Sequence, residues 1–263
     1  MQIEAATYQK MTFSILLIFF VNWFFQSHFL LQLNDPILKT TGIDNTYWLF
    51  CILRIPQFVI KNAFAFDALM ITFFFASFIK KNKWSFRFLL LIVIINVITF
   101  NVYSGIHSKS CVILPMILLP FCFPKQEDLL KDGVRYYLLF IFISAAFYKI
   151  INGGLLYTNQ FVHILENQHV DLAILNHGSF TYQLSSWLIN HPFTANGLWY
   201  LLFASEIVFA IGFFTKKYDK LLAFFLIMLM ICTYILMRIS LFDFILFLPL
   251  LLNNTAVNRH INT

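Results

Sequence analysis

The chain has 263 residues, 60% of them hydrophobic and only 11% charged, with 34 Phe and a net charge of +6. A soluble domain carries roughly 25% charged residues, and a disordered chain is poor in apolar and aromatic side chains, so a mean hydropathy of +0.78 excludes both. What remains is an integral membrane protein without a soluble stretch long enough for an independent catalytic domain.

A bilayer core needs about 20 apolar residues per helix. The first such run, Met11 to Leu31, follows the charged start Glu4 to Lys10. It is too long for a signal-peptide core and lacks a small-x-small cleavage site, so it reads as a retained helix. Further runs cover about 58–79, 86–102, 111–123, 136–151, 198–214, 221–237 and 241–252. The fourth is short and holds Pro115 and Pro120, and the eighth is short as well. The expectation is an all-α bundle of seven or eight membrane helices forming a single embedded domain over 1–263.

Two connecting segments are long. Residues 32–57 contain Tyr47-Trp48-Leu49-Phe50, an interfacial composition because Trp and Tyr favour the headgroup level. Residues 152–197 open with Asn152-Gly153-Gly154, a helix stop. Phe161, Ile164 and Leu165 then fall at helical spacing and predict a short helix lying on the membrane. Ser185, Trp187, Leu188 and Ile189 predict a second.

Lys and Arg in short loops stay cytoplasmic. Lys80, Lys81, Lys83 and Arg87 follow the second run, Lys125, Lys131 and Arg135 the fourth, and Lys216, Lys217 and Lys220 the sixth. The opposite loops hold only Lys39, Arg54, Lys61 and Lys109. Both termini are therefore expected in the cytoplasm, and the excess of positive charge reports orientation rather than a nucleic-acid partner. Cys51, Cys111, Cys122 and Cys232 form no CxxC pair, and the spacing of His163, His169, His177 and His191 matches no metal template.

Several charges fall where lipid should be. A charged side chain at the bilayer centre costs about 2.5–3.5 kcal/mol on insertion scales and usually turns to the bundle interior. Asp67 lies in the second run, Glu206 in the sixth and Lys149 near the outer end of the fifth; Arg238 ends the seventh and Asp243 begins the eighth. With the loop orientation above, Lys61, His107, Lys149, Arg238 and Asp243 all fall towards the outer side, which suggests one polar pocket opening outward. Each has a plainer reading. Lys149 can snorkel to headgroups, Arg238 and Asp243 can brace a turn, Lys61 can anchor an interface, and His107 can be a loop histidine. Asp67 and Glu206 are too short to snorkel, but either can serve as a structural partner of Lys61 or Arg238. The many Phe residues read as lipid-facing filler.

The stretch Ala145-Ala146-Phe147-Tyr148-Lys149-Ile150 resembles a motif of the horizontally transferred transmembrane (HTTM) domain family, to which the membrane part of vitamin K-dependent gamma-carboxylase is related. In that family small residues precede a lysine at the outer end of a helix. Gly105-Ile106-His107-Ser108 resembles its histidine-bearing loop, and Ser205-Glu206-Ile207 its membrane-embedded glutamate, with Lys216-Lys217 following. DoxX-like bundles form a broader group of similar look. The resemblance implies a lysine base and a partner histidine at Lys149 and His107, an internal glutamate at Glu206, and a reduced quinone or vitamin K-type compound as cofactor or substrate; from their charge in the apolar runs, Asp67, Arg238 and Asp243 are expected to support the same pocket. Two departures stand beside it: Tyr148 occupies the place of a second lysine, and the region that grips a protein substrate in the carboxylase has no counterpart. The alternative expectation is a non-enzymatic membrane partner for the maturation, export or immunity of a secreted peptide.

Overall fold

The computed structural model describes residues 2–33, 54–104, 110–154, 156–157, 159–170 and 178–252. The regular structure among these residues is all helical, with turns between the helices and no strand. Six helical stretches are long and apolar enough to cross a membrane: Thr7–Gln32, Ala63–Lys80, Lys83–Tyr103, Pro124–Ile151, Pro192–Phe214 and Asp219–Met237. They correspond to six of the eight expected runs. The two short runs are helical over Val112–Cys122 and Phe242–Leu252. At about 1.5 Å per residue neither reaches across a core of roughly 30 Å. The interfacial 47–50 stretch and the His107 loop lie outside the described residues.

The chain divides into two compact units, Met1–Val134 and Arg135–Thr263. The first contains α1 (Gln2–Phe25), a 3-10 turn (Leu30–Gln32), α2 (Ile55–Lys61), α3 (Ala63–Lys80), α4 (Lys83–Ser104) and α5 (Ser110–Cys122). α3 packs on α4, and α4 on α5. Lipid tails are as apolar as these side chains, so packing rather than exclusion from water must hold helices together. Aromatic rings supply it. Phe13 stacks on Phe74 at 5.2 Å, Phe78 meets Phe86 edge-on at 5.0 Å, Phe86 stacks on Phe121 at 4.9 Å, and Tyr8 stacks on Phe121 at 5.5 Å. Such pairs contribute about 0.5–1.5 kcal/mol each beyond their area. Phe is thus more than lipid-facing filler: some rings, such as Phe64, stay exposed, but others join α1, α3, α4 and α5. Arg87 Nε donates to the Cys122 carbonyl at 3.2 Å and satisfies one orphan acceptor at the end of α5.

The second unit begins within α6 (Glu127–Ile151) and continues through α7 (Gln160–Gln168), α8 (Phe180–Asn190), α9 (Pro192–Val208), α10 (Ile211–Phe214), α11 (Asp219–Met237), a 3-10 helix (Phe242–Phe247) and α12 (Leu248–Leu252). α7 and α8 are the two expected short helices. Phe161 and Leu165 are fully buried on α7, as are Ser185 and Leu188 on α8. Their apolar faces therefore pack against protein, with α7 on α8, α9 and α11. His169 closes α7 by hydrogen bonding the Leu236 carbonyl at 2.8 Å. Phe142 stacks on Phe209 at 4.3 Å and meets Phe244 at 5.3 Å, joining α6 to α9 and to the short C-terminal helices. Gly212 permits the close approach of α6 and α11 to α10. A Cβ there would lie 2.7 Å from a methyl of Leu139 and 2.9 Å from one of Leu222.

Candidate functional site at the end of α6

α6 starts with Glu127 and Asp128 and carries Lys149 in its last turn, so charges at both ends match the helix dipole. It stops where the sequence predicts. Gly153 takes φ +69°, a left-handed conformation that favours glycine, and Gly154 N–H donates to the Lys149 carbonyl at 2.8 Å. Gly154 has little space around it: a Cβ would meet the Lys149 carbonyl oxygen at 3.0 Å and Gln160 Oε1 at 3.3 Å. α7 begins six residues later, which brings Gln160 and Phe161 beside this turn.

The opposite wall comes from α9, which Pro192 opens at a position where the missing N–H costs nothing. Trp199 and Glu206 are seven residues apart, two helical turns, and so share one face. The Trp199 indole N–H donates to the Gly154 carbonyl at 2.9 Å, and Phe161 stacks on its ring at 5.8 Å. Lys149 Nζ stands 5.0 Å from the Trp199 ring centroid and donates to Glu206 Oε1 at 2.6 Å. Glu206 lies in the last turn of α9, where the helix dipole opposes a negative charge, and the Lys149 ammonium offsets that. The side chains of Lys149 and Glu206 are 24% and 13% exposed, so the pair is sheltered without being sealed. Two buried acceptors remain with no hydrogen-bond donor: Glu206 Oε2 and Gln160 Oε1. The arrangement offers a cation, a half-used carboxylate, an amide oxygen and an aromatic face at the end of one helix.

Lys149 and Glu206 are the sequence candidates that the structure brings together. Arg238 is exposed at the end of α11 with φ +53°, and Asp243 is half-buried in the first turn of the following 3-10 helix. Neither joins the Lys149–Glu206 pair. His107 lies outside the described residues. Asp67, in the first unit, does not pair with Lys61, which is exposed. It accepts from Leu31 N–H at 2.9 Å and from Asn96 Nδ2 at 3.2 Å. Backbone and amide donors reach it because the chain folds a 3-10 turn over α3, a long-range approach that charge counting does not anticipate.

A second ion pair was not anticipated at all. Arg135, counted above among the loop charges, is buried against Asp219, with side chains 3% and 1% exposed. Its Nε donates to Asp219 Oδ2 at 2.8 Å and its Nη2 to Oδ1 at 2.6 Å. Nη2 also donates to the Gly212 carbonyl at 2.8 Å and to that of Thr215 at 3.2 Å. Trp199 and Gln160 also went unnoticed, since nothing in a lone tryptophan or glutamine marks it as lining a site.

No protein-family model, no curated protein and no solved structure matches this chain.

Proposed function

We propose that this is an HTTM-type multi-pass protein of the cytoplasmic membrane that takes up a lipid-soluble, hydroxyl-bearing substrate of the quinol class beside Lys149. The observation that carries the reading is the half-used pair: a 2.6 Å Lys149–Glu206 hydrogen bond with Glu206 Oε2 buried and without a donor. A substrate hydroxyl can donate to that oxygen while its ring lies near the Trp199 face. Lysine acts as a base only when neutral. One proton shift from Nζ to Oε1 within the pair turns the ion pair into a neutral amine and a neutral carboxyl group without changing the total charge. Once the carboxyl group is neutral the hydroxyl turns from Oε2 to the amine and gives it the proton, leaving an oxyanion beside an ammonium and a neutral carboxyl group, with the total charge unchanged. The HTTM resemblance adds His107 as a further proton carrier.

The topology proposed with this function has seven or eight spans and both termini in the cytoplasm, the short α5 and α12 completing the bundle against their neighbours. It rests on the loop asymmetry of Lys and Arg. Reporter fusions at Lys81, Gln126 and Lys217 read cytoplasmic, and fusions near Gly105 and His177 read external; a cytoplasmic reading at His177 ends the outward-site proposal.

The binding test uses the purified protein in nanodiscs and radiolabelled reduced 2-methyl-1,4-naphthoquinone in equilibrium dialysis. Saturable binding to the wild type falls at least about tenfold in Glu206→Gln and in Lys149→Met, the loss of one charge-assisted hydrogen bond. Equal binding by all three proteins refutes the reading. The non-enzymatic reading, a membrane partner for a secreted peptide, draws on the fact that the charges of Lys149 and Glu206 offset each other. Arginine at position 149 keeps the charge and the pairing but cannot become neutral. Full function of Lys149→Arg in cells would select that alternative.

A further inference from the structure

The first unit encloses a small cavity beside Leu30, with room for about one water molecule. Trp23, His28 and Phe100 form one wall as a continuous stack, with His28 lying between the two other rings at 6.1 and 5.2 Å. Asp67 and Asn96 also line it, 6% and 3% exposed. The amide orientation of Asn96 is decided by its neighbour: a carboxylate oxygen can only accept, so Nδ2 faces Asp67 Oδ1, at 3.2 Å. Asn96 Oδ1 is left as a buried acceptor without a donor. Asp67 accepts from Leu31 N–H and from Asn96, and the Leu30 N–H is directed at it as well, which still leaves acceptor capacity on the carboxylate. No cationic side chain among the described residues forms an ion pair with Asp67. A carboxylate inside a membrane-spanning helix usually finds a positive partner. A water molecule can donate to these oxygens but brings no charge.

We propose that this cavity binds one dehydrated monovalent cation of about the size of a water molecule, with Asp67 and Asn96 Oδ1 as ligands. The cation uses the two sets of acceptors that the described residues leave open and neutralises the carboxylate where none of their side chains forms an ion pair with it. The aromatic wall admits no second shell of water, so the site selects by size against organic cations. The site stands apart from the Lys149–Glu206 proposal, and neither depends on the other.

The test heats purified full-length protein in detergent and measures the monodisperse fraction remaining. Sodium, potassium or ammonium chloride replaces choline chloride at constant ionic strength, choline being too large for the cavity. The midpoint rises with at least one of the three small cations and saturates. Asp67→Asn, nearly isosteric, removes the dependence, and Asn96→Leu raises the half-saturating concentration at least about tenfold, the equivalent of losing one ligand. Binding of radioactive sodium, competed by the other small cations, gives one site per wild-type chain and does not require a variant to fold. Equal midpoints in all four salts, the same salt response in Asp67→Asn, or no saturable sodium binding and no competition would each overturn the proposal, leaving Asp67 as a hydrogen-bonding partner only.

Discussion

One helix reaches its neighbours through two ion pairs of opposite character. Near the start of the second unit, Arg135 of α6 holds both oxygens of Asp219 and two backbone carbonyls, and the pair is almost wholly buried. Fourteen residues on, Lys149 makes a single hydrogen bond to Glu206 and leaves the second oxygen of that carboxylate open. The guanidinium fork matches a carboxylate in a fixed plane, whereas the ammonium is a point charge on a flexible stem. The first pair ties α6, α10 and α11 into one body and gives each Asp219 oxygen a guanidinium donor. The second pair is sheltered but not sealed and can exchange a proton or a partner. Burial and completeness of bonding, rather than charge alone, separate an anchor from a site.

Removing one member of the closed pair has the largest expected effect. Arg135→Ala leaves the Asp219 carboxylate buried without its partner and destabilises the protein by about 3–5 kcal/mol, read as loss of monodisperse protein on heating. The double variant Arg135→Leu with Asp219→Leu recovers much of that loss, since no unpaired charge remains. Should Arg135→Ala melt like the wild type, the contrast between the two pairs collapses. The open pair responds less: Glu206→Gln costs about 1.5–3 kcal/mol, the range for a hydrogen bond to a charged group, while Lys149→Arg stays within about 1 kcal/mol of the wild type and loses activity. Close packing around the closed pair is probed by Gly212→Ala, whose new methyl group would collide with Leu139; overpacking of this kind costs about 1–3 kcal/mol. The smallest change has the opposite sign. A Cβ at Gly133, earlier on the same helix, would meet nothing within 4 Å, so Gly133→Ala stabilises by about 0.5–1 kcal/mol. A loss there would mean that α6 is constrained beyond the two ion pairs that join it to other helices.

Much of this architecture is written along the chain. Six long apolar runs became six long helices, because a length of about 20 apolar residues is a local property. Asn152-Gly153-Gly154 stopped α6 for the equally local reason that glycine adopts positive φ without strain. The short helices α7 and α8 followed from spacing. The candidate site was half legible. Lys149 and Glu206 could be singled out because a charge in a membrane run is costly, but their mutual pairing depends on how α6 meets α9. Arg135 shows the limit most clearly. At the edge of an apolar run, a loop cation and a buried anchor look alike until the partner, 84 positions away, is brought alongside. Asp67 taught the same lesson in reverse, since its partners are a backbone N–H and an asparagine that carry no charge to be noticed.

Trp199 spends both its edge and its face: the indole N–H is bound to the Gly154 carbonyl, and the ring lies under the Lys149 ammonium. Indole emission responds to nearby charge and to the polarity around N–H. A protein in which Trp23, Trp48, Trp84 and Trp187 are replaced by Phe, with Trp199 kept, would therefore report from within the site without an added dye. Its spectrum would move when the ammonium above the ring is neutralised, withdrawn or covered, so the charge state of Lys149 becomes an optical quantity, readable in intact membranes before any substrate is identified.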